Sequence, residues 1–259
     1  SLATFRNDWN TVLLLGTAFQ VVLGGIGYPL TFEFYERLKM KRLGLKHKYS
    51  LFTKIAFISY FAVLFIGLVA AYGCEFGYAT DATLVRADIN GGWGEAKTYN
   101  QVFSIFYNTV CTRSAGFATF DQTLLTEGTR INYIVQMFIG ASPSSTAGGI
   151  RTTTLAVMLI SIYQFFSRRE NINAGKRTIP RTTIHNSFVV FFVGLMLVLI
   201  CSCCIYYCPL NVPGEQISKY FTFTEVLYEM TSAFGTVGYT MGISAWVNPF
   251  GLTLMVFGM

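Results

Sequence analysis

The sequence predicts an all-α membrane protein built from a repeated unit: a transmembrane helix, a shorter half-helix, an irregular loop and a second transmembrane helix. Three observations carry this. Charged residues make up 12% of the chain and hydrophobic ones 53%, about half the charge share of an ordinary soluble domain. Uncharged stretches run over 9–32, 55–74, 131–150, 152–167, 182–214 (His185 aside) and 230–259, and crossing a bilayer takes roughly 20 apolar residues. Two shorter segments, 98–117 and 220–239, end in the same residue pattern.

The chain opens with SLATFRND, which reads as the tail of a loop, followed by a span over 9–32. A basic stretch comes next: of 19 Lys and Arg, seven lie in 37–54 (Arg37, Lys39, Lys41, Arg42, Lys46, Lys48, Lys54). Beyond the span 55–74, the loop 75–97 carries Glu75, Asp81, Asp88 and Glu95 against Arg86 and Lys97. A second basic group, Arg168, Arg169, Lys176, Arg177 and Arg181, precedes the span that begins near 182. Short basic loops stay in the cytoplasm, so 37–54 and 168–181 are expected inside, 75–97 and 208–220 outside. The net charge of +6 therefore follows membrane topology and argues against nucleic acid as a partner, since no aromatic residues are spaced for base stacking. Four of the six cysteines (Cys201, Cys203, Cys204, Cys208) crowd one end of an apolar helix without CxxC spacing; they read as small apolar helix residues rather than a metal site or disulfides. His47 and His185 have no ligand-like neighbours.

The segments TYNQVFSIFYNTVCTRSAGF (98–117) and YFTFTEVLYEMTSAFGTVGY (220–239) are too short to cross. About 12 helical residues extend roughly 18 Å, little more than half the hydrocarbon core. Both read as half-helices that dip in from outside and return as loops. Aligned by their ends, Gly116 falls on Gly238, Phe117 on Tyr239, Ala115 on Val237, Ser114 on Thr236 and Thr109 on Thr231. Each follows a full span and precedes another, so the unit occurs twice, with 9–32 as the remnant of an earlier one. Irregular backbone survives at membrane depth only when buried in protein or lining a watery path. Two matched loops favour the path: carbonyls that point inward together require backbone angles suited to Gly. Ser or Thr before the Gly can add a further oxygen. TVGY, 236–239, is also the tetrapeptide of potassium-channel filters.

Between the two loops, GASPSSTAGGIRTTT (140–154) interrupts a helix that would otherwise run from about 129 to 167. Pro143 and three glycines break it, and Ser and Thr fill it. The GxxxxGK[ST] spacing of a phosphate-binding loop is missing. Arg151 needs a partner or water at this depth, because a lone charge there is costly.

Taken together, TRSAGF, MFIGASPSSTAGGIRTTT and SAFGTVGY resemble, in that order, the Trk, Ktr and HKT superfamily of potassium transporters, in particular the KtrB-type membrane subunit of bacterial Ktr systems. The resemblance covers essentially the whole chain. It implies four span–loop–span units of one polypeptide around a central ion pore. Residues 1–48 would be the remnant of the second unit with its second span, 49–170 the third, with its second span broken, and 171–259 the fourth, truncated. The filter would comprise Thr112, Arg113, Ser114, Ala115 and Gly116 in the third unit, and Phe234, Gly235, Thr236, Val237 and Gly238 in the fourth, with potassium at their carbonyls. Gly at both positions points to potassium; a sodium-selective relative, which often carries Ser there, is the alternative. The broken span would act as a gating loop below the filter, through Gly140, Ser142, Ser144, Ser145, Thr146, Gly148, Gly149 and Arg151.

The resemblance further implies a multi-pass protein of the bacterial cell membrane. Beyond the lipid bilayer, its partners would be a second copy in a homodimer and a cytosolic ring of nucleotide-binding regulatory subunits. No cofactor beyond the potassium ion and no enzymatic chemistry are expected, and a linkage to sodium is left open. The first unit and the first half of the second are absent, so the chain reads as the larger, C-terminal portion of a longer protein. Arg113 is a cation beside a cation filter, yet the family's third filter often has Arg there. Its side chain is expected to turn back into the protein, where Glu229 or Asp121 would neutralise it. Glu225 and Glu229, four apart on a half-helix, either concentrate cations at the mouth or lie on the helix surface.

Overall fold

The computed structural model describes residues 8–44, 49–77, 98–167, 173–174, 177–207 and 217–259. Lys46, His47, Lys48, Cys208, the acidic loop 78–97, the basic residues Arg168, Arg169 and Lys176, and 208–216 lie outside the described residues. Nine helices run through the described residues: α1 Asp8–Ile26, α2 Tyr28–Arg42, α3 Leu51–Gly77, α4 Thr98–Cys111, α5 Glu127–Phe138, α6 Thr152–Phe166, α7 Arg181–Tyr206, α8 Phe223–Phe234 and α9 Pro249–Gly258. A two-residue hairpin, β1 Asn173–Ala174 against β2 Arg177–Thr178, joins α6 to α7.

The two longest helices, α3 with 27 residues and α7 with 26, extend about 40 Å and exceed the hydrocarbon thickness. Each buries one narrow face. In α3 it is Thr53, Ala56, Tyr60, Gly67, Ala71 and Glu75; in α7 it is Ser187, Gly194, Val198, Cys201, Ser202 and Ile205. Small residues dominate both faces, as in helices that associate within lipid through close backbone approach. The opposite faces expose Phe57, Ile58, Phe65, Ile66 and Val69 on α3, and Val189, Phe192, Val193 and Ile200 on α7. Large apolar side chains turned outward and small or polar ones turned inward are the pattern expected where the solvent is lipid.

The order span, half-helix, loop, second helix appears twice, as α3–α4–loop–α5/α6 and as α7–α8–loop–α9. Helix α5 lies between α3 and α8 and joins the two units. Thr126 caps α5, and its N–H and hydroxyl both donate to Glu75 at the end of α3, at 3.0 and 2.9 Å. Farther along, the Asn132 side chain donates to the Gly67 carbonyl at 2.8 Å, and a Cβ at Gly67 would run into the Gln136 amide. Helix α8 starts in a capping box, in which Thr222 and Glu225 satisfy each other's backbone N–H, a pattern that stabilises a helix start by about 1 kcal/mol.

One expected span and one uncharged stretch differ from a straight helix. The stretch 9–32 is not one helix: α1 ends at Ile26, and α2 leaves at 93°. Gly27, at φ 82, makes the corner, and Pro29 sits in the first turn of α2, where its missing N–H costs nothing. The stretch 230–259 holds the end of α8, a loop and the ten-residue α9. Apolar composition reports which solvent surrounds a segment, not whether its backbone runs straight.

Candidate functional site

The loops that follow the half-helices α4 and α8 touch, Gly116 lying against Val237. At the end of α4 the Cys111 carbonyl receives the N–H groups of Ser114, Ala115 and Gly116, at 3.2–3.3 Å. At the end of α8, Gly235 donates to Thr231, Thr236 to Ala233 and Val237 to Ser232, at 2.8, 3.0 and 2.9 Å. These bonds use the loops' N–H groups to close the helix ends. Among the described residues the carbonyls of Ser114, Ala115, Gly116, Thr236, Val237 and Gly238 accept no hydrogen bond. Both helices also direct the negative ends of their dipoles at this region, which favours a cation there. Thr109 and Thr231, the aligned pair, bond back to the preceding turn in the same way, to Ile105 at 2.7 Å and Leu227 at 2.6 Å.

Gly116 and Gly238 both have left-handed backbone, φ 59 and 95, a region that L side chains resist. Gly116 lies directly on the partner loop, where a Cβ would run into the Val237 carbonyl oxygen. At Gly238 a Cβ would meet nothing within 4 Å in this chain. Thr236 also has positive φ, at 51.

A buried polar network that the sequence did not disclose locks the two loops from behind. The Tyr239 hydroxyl lies 3.0 Å from the Asn108 carbonyl and 3.1 Å from its Oδ1. The Asn108 side chain donates to Ser104 at 2.8 Å and to Thr119 at 2.6 Å. Tyr228 reaches the same cluster through Gln122 at 3.1 Å. The signal available in the sequence was the Tyr that closes TVGY: an aromatic with a polar tip, when buried, takes a partner.

Residues 139–151 pass beneath both loops and are tied to each. Arg113 is 1% exposed, and its Nη1 donates to the carbonyls of Ile139 and Gly140 at 2.6 and 2.7 Å. Its Nη2 donates to the Tyr60 carbonyl at 3.3 Å, and the guanidinium stands 5.3 Å from the Tyr60 ring centre. The side chain therefore turns inward as expected, but its partners are backbone carbonyls rather than Glu229 or Asp121. Asp121 accepts from the Thr123 N–H at 3.0 Å. Glu229 is taken up by Thr240 Oγ1, Met241 N and Ser244 N, at 2.7, 2.8 and 3.2 Å. Glu225 lies 3.3 Å from Arg130. Both acids thus support protein groups, and neither stands as a bare helix-surface carboxylate.

At the other end of the segment, the Gly148 N–H lies 3.1 Å from the Gly235 carbonyl and 2.9 Å from Thr236 Oγ1. Gly140 and Gly148 pass so closely that a Cβ on Gly140 would run into the Gly148 carbonyl. Ile139 and Ile150 pair as a parallel bridge, and Gly149 takes φ 72 between them. Thr146 Oγ1 comes within 3.4 Å of Ser114 Oγ.

The middle of the segment rests in the corner between α1 and α2. Ser142 N donates to Gly25 at 3.1 Å, Thr146 N to Gly24 at 3.5 Å, and Tyr28 N to Ser144 at 3.3 Å. Ser145 N turns back to Ser142 at 3.2 Å. The Phe138 ring stacks on Phe234 at 5.6 Å, so the root of the segment packs on the end of α8. Arg151 starts α6, is exposed, and makes no side-chain hydrogen bond or ion pair with any described residue.

The chain resembles known proteins in sequence and in fold. An uncharacterized cation transporter of Mycoplasma genitalium is 34% identical over 93% of this chain and 46% of its own length. Ktr system potassium uptake protein D of Bacillus subtilis is 28% identical over all of this chain and 52% of its own. The chain thus spans about half the length of the curated relatives it matches. The crystal structure of the potassium transporter TrkH from Vibrio parahaemolyticus superposes with a TM-score of 0.68, at 13% identity, over 98% of this chain and 50% of that one, and shows the same fold. The family described as TrkH, cation transport protein, matches residues 1–259, and the chain belongs to it, as a multi-pass membrane protein and not an enzyme.

Proposed function

We propose that this chain forms part of the pore of a potassium uptake transporter, with 112–116 and 234–238 as two of its filter loops and 139–151 as a gate beneath them. The observation that carries the reading is the pair Gly116 and Gly238, left-handed at matched positions, on loops that touch and whose carbonyls at 114–116 and 236–238 accept no hydrogen bond among the described residues. Backbone carbonyls replace the water shell of an alkali cation, and a membrane potential supplies roughly 2.3 kcal/mol per charge for each 100 mV. Uptake then requires no catalytic group. The names of the B. subtilis and V. parahaemolyticus proteins, both potassium transporters, support the choice of ion.

The segment 139–151 suits a gate because it is irregular, rich in small polar residues, and bonded to both loops without belonging to either. A cytosolic nucleotide-binding ring as regulator and a homodimer of the membrane subunit complete the reading. The basic last turn of α2, Lys39, Lys41 and Arg42, is a docking surface on the cytoplasmic side. Gly238→Ser in the full-length transporter tests the filter assignment. The side chain strains the left-handed backbone and turns the carbonyl, so the potassium-to-sodium flux ratio in proteoliposomes is expected to fall several-fold. An unchanged ratio would remove Gly238 from the filter.

A further inference from the structure

Thr236 is a β-branched residue at φ 51, where such a side chain is an outlier. Strain of this kind persists only when the surroundings over-determine it. Here they come from two sides. The Thr236 N–H donates to Ala233 and closes α8, and Oγ1 accepts the Gly148 N–H at 2.9 Å. A Cβ at Gly148 would stand 2.8 Å from Thr236 Oγ1 and 2.9 Å from its Cγ2, so the approach is as close as a glycine allows. Reading TVGY from sequence assigns the Thr oxygen to the ion. In the structure the oxygen faces the segment beneath.

We propose that Thr236 is a positioning residue for transport, whose hydroxyl latches the Gly148 end of the 139–151 segment to the fourth-unit loop instead of coordinating the ion. The latch rests on the reading of 234–238 as a filter loop and of 139–151 as its gate. Through it one N–H at the end of the gate is shared between the Gly235 carbonyl, at 3.1 Å, and the Thr236 hydroxyl, at 2.9 Å. Withdrawal of Gly148 frees the Thr236 side chain and removes one of the contacts that hold its backbone left-handed.

The test uses the full-length transporter in proteoliposomes, with Thr236→Val, which keeps the shape and removes the acceptor, and Thr236→Ser, which keeps the acceptor. Amide hydrogen exchange across 140–150 and the fluxes of potassium and sodium are measured for each. The Val variant is expected to exchange about two- to fivefold faster at the Gly148 end, at most the equivalent of one ordinary hydrogen bond, because the Gly235 carbonyl still accepts the same N–H. Its potassium flux should rise with the potassium-to-sodium ratio unchanged, and Ser should restore both values. If Val fails to fold, Thr236→Ala removes the same oxygen without the β-branch and is read in the same way. A changed ion ratio with unchanged exchange would make Thr236 an ion ligand and overturn the latch, as would no change in either quantity. The exchange readout does not depend on selectivity, so it stands even if Gly238→Ser refutes the filter assignment.

Discussion

Among the described residues Arg113 is a cation with no carboxylate partner, buried behind a loop proposed to line an ion path. Its charge is satisfied by carbonyl dipoles, two of which belong to the first residues of the 139–151 segment. Nη1 meets both of these carbonyls while Nη2 reaches the Tyr60 carbonyl, and the single nitrogen of a lysine cannot stand in both places. Arg113→Lys is therefore expected to lower stability by roughly 1.5–3 kcal/mol, read as a lower unfolding midpoint in detergent, although the charge is kept. An unchanged midpoint would show that the Ile139 and Gly140 carbonyls find other donors. That Arg113 points inward was legible, because a cation cannot face a cation path. Its partners were not, because carbonyls belong to every residue and leave no letter. Glu229 misled for the complementary reason: a carboxylate invites pairing with a charge, yet three uncharged donors of 240–244 reach it first. The capping box of Thr222 and Glu225 was written in the sequence as T-x-x-E, and its place ahead of an apolar run was the clue to its role.

Among the elements, the corner between α1 and α2 decides where the irregular segment lies. It offers the carbonyls of Gly24 and Gly25 and the N–H of Tyr28 to residues 142–146. A Cβ at Gly27 would stand 2.5 Å from the Pro143 carbonyl oxygen. Gly27→Val is thus expected to displace the segment and raise passive potassium flux in proteoliposomes several-fold. A folded variant with normal flux would mean that the corner merely borders the segment. The half-helices were legible as elements because their lengths fall short of the membrane and their last residues match. The corner was hidden because 9–32 is apolar on both sides of it, and hydropathy is blind to direction. The breakers were nonetheless present in GGIGYP: a glycine at the turn and a proline one residue into the next helix.

At the scale of the molecule, two units place two loops side by side, and in the proposed four-unit ring neighbouring units would cover their remaining faces. Unpaired carbonyls at membrane depth cost several kcal/mol each when they face hydrocarbon. Residues 1–259 reconstituted alone are therefore expected to give no selective potassium flux under an imposed potential, in liposomes where the full-length protein does. Selective flux from these residues by themselves would overturn the four-unit architecture. The repeat was readable because glycine is demanded twice for the same reason. The packing between repeats was not, since it runs through Tyr239, Asn108 and Gln122, whose letters carry no spacing rule.

In the proposed filter the two glycines are not equivalent as ancestors. Any side chain at Gly116 collides with the backbone of the neighbouring loop, so a mutation there breaks the pair of loops before it can alter their preference for an ion. Gly238 has open space beside it in this chain and resists substitution only through its backbone angle. A lineage drifting from one cation to another therefore has one passable road among these two positions. On that proposal the 234–238 loop can change its ion while Gly116, pressed against Val237, keeps the fold in being.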